Sequence, residues 1–292
     1  MYDHINFKSR THLQHDNVFP TCEIVSLSSL TGRETRRGLE NVIISDGQLV
    51  NVVSKSYAHL PNDTIFREAE RKLLETGINF DTRSINRGNR SFAVDYILND
   101  ESYHINVKNN RDRLKPMLRF TNSYDGSCRS SGHFGFYREV CSNGLHVAHS
   151  VIGFSVKHRG NVCEIILPEI KHLVARFLDN EFYSLHKKFE VLAETPIADV
   201  SQFVKLTAER LKLFVYESSE KNPEPSKNAR IVIDTINRES NLLGESPNLW
   251  IGYNAFNDLL HSKLKKTFDA QKQIDARLFE TIDIDATEVE TL

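Results

Sequence analysis

The hydrophobic period of the sequence changes at Gly77, and this change restricts the fold more than any other feature of the chain. Over residues 63–76, apolar side chains recur at helical spacing, and Asn62 or Asp63 can cap the helix. Over residues 80–121, apolar and polar residues alternate as they do in strands. A long helical zone follows from about Pro168. This order predicts an α+β protein with a largely antiparallel sheet, helices packed on one face of it, and a helical C-terminal segment.

The strands of the predicted sheet are bounded by turn residues. Asp46-Gly47 lies between two apolar runs within 41–54 and predicts a hairpin. The alternating stretches at 90–98 and 102–108 and the run at 117–123 predict antiparallel strands with one face wet. Further strands are expected within 134–141 and 151–160, although the first of these stretches is also compatible with the start of a helix.

Composition along the chain suggests five segments. Two prolines within the polar stretch "ESSEKNPEPSK" are typical of a linker, and the last fourteen residues hold five carboxylates and no Lys or Arg. The predicted segments are an N-terminal arm, an α+β core, a linker, a helical segment and a flexible acidic tail, at 1–40, 41–216, 217–228, 229–278 and 279–292.

Several functional classes are disfavoured by the sequence. No apolar run reaches the roughly 20 residues of a membrane helix, and the N-terminus lacks the apolar region of a signal peptide, so we expect a cytoplasmic protein. No phosphate-binding loop, nucleophile elbow or zinc-protease helix occurs. No carboxylate cluster suits a metal-dependent nuclease, and we expect binding without catalysis.

Cysteine and histidine residues predict no cofactor. The four cysteines form no C-x-x-C pair, and their spacing from His133 and His146 matches no zinc template. A triad of Asp125, Ser127 and His133 is disfavoured, because residues so close in sequence rarely form one. Neutral, structural thiols and no metal are therefore expected.

The middle of the chain is basic and aromatic. Between Arg83 and Arg138 there are ten Lys/Arg residues against five Asp/Glu, interleaved with eight Phe/Tyr. Cations that follow phosphates and aromatic faces that stack on bases are the usual means of holding single-stranded nucleic acid. The alternative is that the aromatic residues form core and the cations a solvated rim. On the first reading, the nucleic-acid-binding residues are Arg119, Tyr124, Arg129, Tyr137 and Arg138.

The stretch "NSYDGSCRSSGHFGFYREVCSNGL", residues 122–145, has a turn near each end. Asp125-Gly126 and Asn143-Gly144 predict tight turns in which glycine adopts a positive φ. Asn122, Ser123 and Ser127 are expected to bond back to backbone groups. Such turns serve either to bracket a ribbon of two strands or, with Arg129 and Arg138 beside them, to bind a phosphate.

This stretch resembles the N-S-x-D-G-S…R-x-V-C-x-N-G-L signature of a phage, prophage and plasmid family known as domain of unknown function 932, with the related YubP/YfjQ-like plasmid group. Residues 52–77 and 249–262 are similar to the family's N-terminal strand–helix unit and closing helix, so the resemblance spans about 50–262. The signature positions present in this chain are Asn122, Asp125, Gly126, Ser127, Arg138, Cys141, Asn143 and Gly144.

The resemblance implies a role in mobile elements but assigns no reaction. Together with the basic middle of the chain, it leads us to expect a phage- or plasmid-encoded protein of DNA metabolism that binds single-stranded DNA in replication or recombination. The alternative is an inhibitor of a host defence or restriction system that acts through protein contact. The acidic tail is a candidate site for host or phage proteins, no membrane partner is expected, and the oligomeric state is left open.

Overall fold

The computed structural model of the protein describes residues 4–8, 19–20, 22–108, 112–138, 144–145, 153–178, 183–219 and 222–290. It divides into two compact units. The first unit comprises Met1–Tyr103, Pro116–Phe134 and Val151–Asn180, and the second comprises His104–Lys115, Gly135–Ser150 and Glu181–Leu292.

The strands and helices confirm the α+β fold class. The strands are β1 (His4–Lys8), β2 (Cys22–Ser26), β3 (Asn41–Ser45), β4 (Gln48–Val53), β5 (Phe80–Arg87), β6 (Ser91–Leu98), β7 (Ile105–Val107), β8 (Asp112–Ser123), β9 (Ser130–Arg138), β10 (Gly144–Leu145), β11 (Gly153–Val156), β12 (Glu217–Ser219) and β13 (Asn222–Pro225). The helices are α1 (Leu27–Thr31), α2 (Asn62–Leu74), α3 (Val162–Leu178), α4 (Tyr183–Glu194), α5 (Val200–Leu211), α6 (Lys227–Leu243), α7 (Leu249–Ser262) and α8 (Phe268–Glu290).

The main sheet is antiparallel, in the order β1–β5–β6–β8–β9–β10, with β7 also paired to β8 and β11 to β9. A separate sheet has the order β2–β3–β4. Its hairpin turns at Asp46-Gly47, where both residues have positive φ angles of 54° and 72°, which confirms the predicted tight turn.

One face of the sheet in the first unit packs beneath α2 and α3. The Tyr96 hydroxyl donates to the carbonyl of Phe66 in α2 at 2.7 Å, and the Phe134 and Phe177 rings lie 5.4 Å apart. Gly132 lets α3 approach closely, because a Cβ atom there would lie 2.8 Å from the Leu173 side chain. Helix α2 confirms the predicted 63–76 helix, but neither Asn62 nor Asp63 caps it. The N-cap is Pro61, which has no side-chain acceptor, and Asn62 is already the first helical residue and accepts from Asn122.

The other face of this sheet is polar, as the alternation predicts, but it is not wet. Arg83, Asp95 and Arg119 occupy paired positions on three neighbouring strands, and each residue is less than a tenth exposed. The Asp95 carboxylate pairs with both guanidinium groups. Thr121 shares a 2.8 Å hydrogen bond with Ser131 on the same face. The expectation of a solvated face was therefore wrong, because alternation records the polarity of a face and not its exposure.

Two C-terminal segments also differ from expectation. Residues 217–228 were predicted as a linker but include the short hairpin of β12 and β13, and Pro225 pairs with Glu217 in it. The next residue, Ser226, is the N-cap of α6 and its hydroxyl accepts from Ala229 N. The predicted flexible acidic tail begins within α8, where Phe279 and Ile282 are buried among the core side chains.

Within the described residues, no helix has the length and apolar composition needed to cross a bilayer.

Candidate functional site

The signature turn, residues 122–130, is closed by its own polar side chains. The Asp125 carboxylate accepts from Ser127 N at 2.9 Å. The Ser123 hydroxyl donates to the Cys128 carbonyl at 2.7 Å and accepts from Cys128 N at 3.2 Å. Gly126 is exposed at the tip with a φ of 72°, as predicted. These bonds fix the turn in one conformation.

We expect Gly126→Val to lower the free energy of unfolding by about 1 kcal/mol or more, because a β-branched residue tolerates a positive φ poorly. Gly126→Asn is the matched control, since asparagine adopts this conformation more readily. Urea unfolding of both variants measures the difference. A valine variant as stable as the asparagine variant would remove the conformational argument.

A buried hydrogen-bond network lies beside the turn. The Asn122 Nδ2 group donates to the Leu60 carbonyl at 2.8 Å and to Asn62 Oδ1 at 2.9 Å. The Asn122 Oδ1 atom accepts from the Ser130 hydroxyl at 2.7 Å and lies 2.9 Å from His158 Nε2. The Leu60 carbonyl can only accept, so the Asn122 atom beside it must be the Nδ2 donor, and this fixes the orientation of the Asn122 carboxamide. His158 Nε2 therefore carries the proton and donates to Asn122.

The protonation of His158 bears on what this network can do. Burial and the neighbouring His59 lower the pKa of His158 to about 4, despite the opposing effect of Asp125. The ring is therefore neutral near physiological pH. Ser130 Oγ lies 3.2 Å from the same Nε2 atom, but a protonated Nε2 does not remove a proton from that hydroxyl. The network positions the turn and gives no sign of an activated serine.

Tyr57 stacks on His158 and was missed by the sequence analysis. Its ring lies 5.3 Å from the imidazole at an interplanar angle of 7°, and its hydroxyl donates to the Ser123 carbonyl at 3.4 Å. Tyr57 is half-buried, so part of it remains accessible to solvent. It lies within the matched segment 52–77, but no periodicity distinguishes it there, because it sits in the connection before α2.

Four exposed cations belong to the segments that meet near Tyr57, and we call them the basic rim: Arg90, Arg129, Lys157 and Arg159. Arg159 forms an antiparallel bridge with Tyr57. Val156 pairs with Ser130 where β11 ends and β9 begins, so Lys157 comes directly after this pair and Arg129 directly before it. The Arg90 carbonyl accepts from Tyr124 N at 2.7 Å. Half-buried Asp125 is the sole carboxylate within the turn itself.

Three of the five predicted nucleic-acid-binding residues are buried. Tyr124 is 3% exposed and packs against Phe92 at 4.8 Å between ring centroids. Arg119 is 3% exposed and pairs with Asp95. Arg138 is fully buried in the second unit, where it pairs with Asp112 and Glu239. These residues do not form the exposed groove predicted from the sequence, because each is held by core contacts or by ion pairs.

Exposed Arg129 and half-buried Tyr137 keep side-chain surface accessible. Gly144 pairs with Tyr137 at the start of β10, whereas Cys141 and Asn143 lie outside the described residues. Among the side chains that the structure describes, no group of three or more His, Cys, Asp or Glu residues converges as a metal site requires.

Comparison with known proteins places the chain in a family. The model of the family described as Domain of unknown function (DUF932) matches residues 49–278, and the chain belongs to this family. No curated protein and no solved structure was found to match the chain.

Proposed function

We propose that this member of the DUF932 family binds single-stranded DNA without catalysing a reaction on it, in the replication or recombination of a phage or plasmid and in the cytoplasm of the host cell. The observation that carries the proposal is the basic rim around Tyr57 and the signature turn. It provides four exposed cations in a small part of the first unit. Such a surface attracts the phosphates of a nucleic acid.

The ring of Tyr57 favours a single strand over a duplex. An aromatic ring between cations can stack on an unpaired base, whereas the bases of a duplex are already stacked on one another. The His158 ring packs against one face of Tyr57, and the Tyr57 hydroxyl donates to the Ser123 carbonyl, which holds the Tyr57 ring in place. A platform held in this way loses little conformational freedom when a base binds.

The cations beside the signature turn, rather than its backbone, suit the same ligand, because Ser127 N and Cys128 N already donate to Asp125 and Ser123. The neighbouring guanidinium of Arg129 suits a phosphate because its donors match two of the phosphate oxygens. We therefore assign phosphate contacts to Arg129, Lys157 and Arg159, and base stacking to Tyr57.

Replacing Tyr57 with Ala should weaken binding of a single strand by about 1–3 kcal/mol, the usual contribution of one stacked base. Tyr57→Phe keeps the ring and should retain binding. Tyr103→Ala removes another half-buried tyrosine of the same unit and is the matched control. Fluorescence anisotropy with labelled single-stranded and double-stranded oligonucleotides measures all three variants.

Two outcomes of this experiment would contradict the proposal. If the wild-type protein bound neither oligonucleotide at low salt, DNA binding would fail and inhibition of a host defence protein would become the leading hypothesis. If Tyr57→Ala and Tyr103→Ala weakened binding equally, the stacking role of Tyr57 would fail.

A further inference from the structure

A cleft in the second unit lies between α5 and the residues that follow it. It has a volume of about 450 Å³ and is lined by Lys205, Ala208, Glu209, Lys212, Phe214, Val215, Tyr216 and Glu217. This volume falls in the range of small-molecule sites, which is about 300–1,000 Å³. We call it the α5 cleft, and nothing in the proposed DNA-binding function uses it.

The walls of the α5 cleft combine a helical stripe with two aromatic rings. Lys205, Ala208 and Glu209 have the three- and four-residue spacing that places side chains on one face of a helix, and Lys212 follows the last residue of α5. Phe214 is held by a near-parallel stack on Phe256, with 6.1 Å between ring centroids. Val215 is 76% exposed, so an apolar side chain at the cleft remains open to solvent. These surfaces suit a flat, apolar body.

The cleft holds two lysines and two glutamates, but an ion pair within the described part of the chain joins only one of the lysines. Lys205 Nζ lies 3.1 Å from the Glu217 carboxylate and 5.9 Å from the centre of the Tyr216 ring. The hydrogen bond and charge of Glu217 raise the pKa of Lys205, and the charge of Glu209 adds a smaller effect in the same direction. No carboxylate of the described residues lies within ion-pair distance of exposed Lys212. One cation of the cleft is thus left for an anionic group.

The backbone at Lys212 is a second observation at the same place. Lys212 ends α5 with a φ of 53°, and its N–H donates to the Glu209 carbonyl at 3.2 Å. Helix ends of this kind usually carry glycine, which adopts a left-handed conformation without steric conflict. A lysine here is retained at a conformational cost, and such a cost is often found at functional positions.

We infer that the α5 cleft binds a small aromatic anion, with its ring between Phe214, Val215 and Tyr216 and its negative group at Lys212. The probe pair is naphthalenesulfonate and its uncharged sulfonamide, titrated into the full-length protein by calorimetry. The sulfonate should bind saturably and roughly fivefold more tightly than the sulfonamide, as one partly exposed ion pair allows.

Lys212→Gly is the decisive variant, because glycine suits this backbone and the variant should fold at least as well as the wild type. It should lose the preference for the sulfonate. Lys263→Gly makes the same change at the end of α7 and should leave the preference intact. Val215→Glu adds a carboxylate at an exposed position and should weaken the binding of the sulfonate but not that of the sulfonamide.

The inference is overturned if the sulfonate does not bind saturably to the wild type. It is also overturned if Lys212→Gly keeps the preference, or if Lys263→Gly loses it to the same extent. Each of these results is independent of DNA binding, which is measured with a different ligand.

Discussion

Arg138→Leu is expected to lower the free energy of unfolding by about 3–5 kcal/mol, the usual effect of removing one partner from a buried ion pair. Arg138 Nε donates to Asp112 at 2.6 Å, and Nη1 donates to Glu239 at 2.5 Å. The Trp250 indole donates to the same Asp112 oxygen at 2.7 Å. The variant leaves two carboxylates buried without their cation, and urea unfolding measures the loss.

Arg129→Leu is the matched control for this prediction. It makes the same substitution at an exposed position of the signature segment and should lower stability by no more than about 1 kcal/mol, the usual range for an interaction at the surface. If Arg138→Leu proved as mild as this control, Arg138 would not be the buried counter-ion of Asp112 and Glu239. Arg138 would then again be a candidate for the DNA-binding surface, as the sequence analysis predicted.

Asp95→Asn is expected to destabilise the first unit by a similar amount, about 3–5 kcal/mol. Burial raises the pKa of Asp95, but the positive charges of Arg119 and Arg83 outweigh it and hold the pKa at about 2, below the ordinary value of 3.8. The asparagine variant removes the charge that both guanidinium groups share. Two buried cations then remain with a neutral partner.

The pH dependence of stability gives a second test of Asp95. Because the folded pKa is the lower one, the stabilisation is present above the unfolded pKa of about 4 and is lost as the pH falls towards 2. The advantage of the wild type over Asp95→Asn should therefore shrink as the pH falls from about 4 to about 2. A constant difference between the two proteins across this range would contradict the account.

The local parts of the fold could be predicted from the sequence. Helix α2, the turn at Asp46-Gly47 and the antiparallel strands follow from spacing and turn residues, which act over a few positions. The positive φ of Gly126 and the bond between Ser123 and Cys128 N were predictable for the same reason. The expectation for Asn122 was wrong, because its carboxamide bonds to Leu60 and Asn62, some sixty positions away in the sequence.

The candidate site was harder to predict because its partners are distant in sequence. Arg138 pairs with Glu239, one hundred and one positions away, and no local pattern distinguishes such an arginine from an exposed one. Tyr57 meets His158 and Arg159 only through the fold. Sequence composition therefore points to a basic, aromatic region, but it could not separate the structural cations of that region from its accessible ones.

The central claim is that the basic rim contacts phosphates, and the salt dependence of single-strand affinity tests it most directly. Each phosphate contact contributes about −0.7 to the slope of log affinity against log salt concentration. Replacing both Arg129 and Lys157 with Ala should therefore flatten the slope by roughly 1.4. The matched control replaces exposed Arg67 and Lys171, on α2 and α3, which removes the same charge and should leave the slope near the wild-type value. Equal slopes for the rim variant and the wild type would contradict the claim.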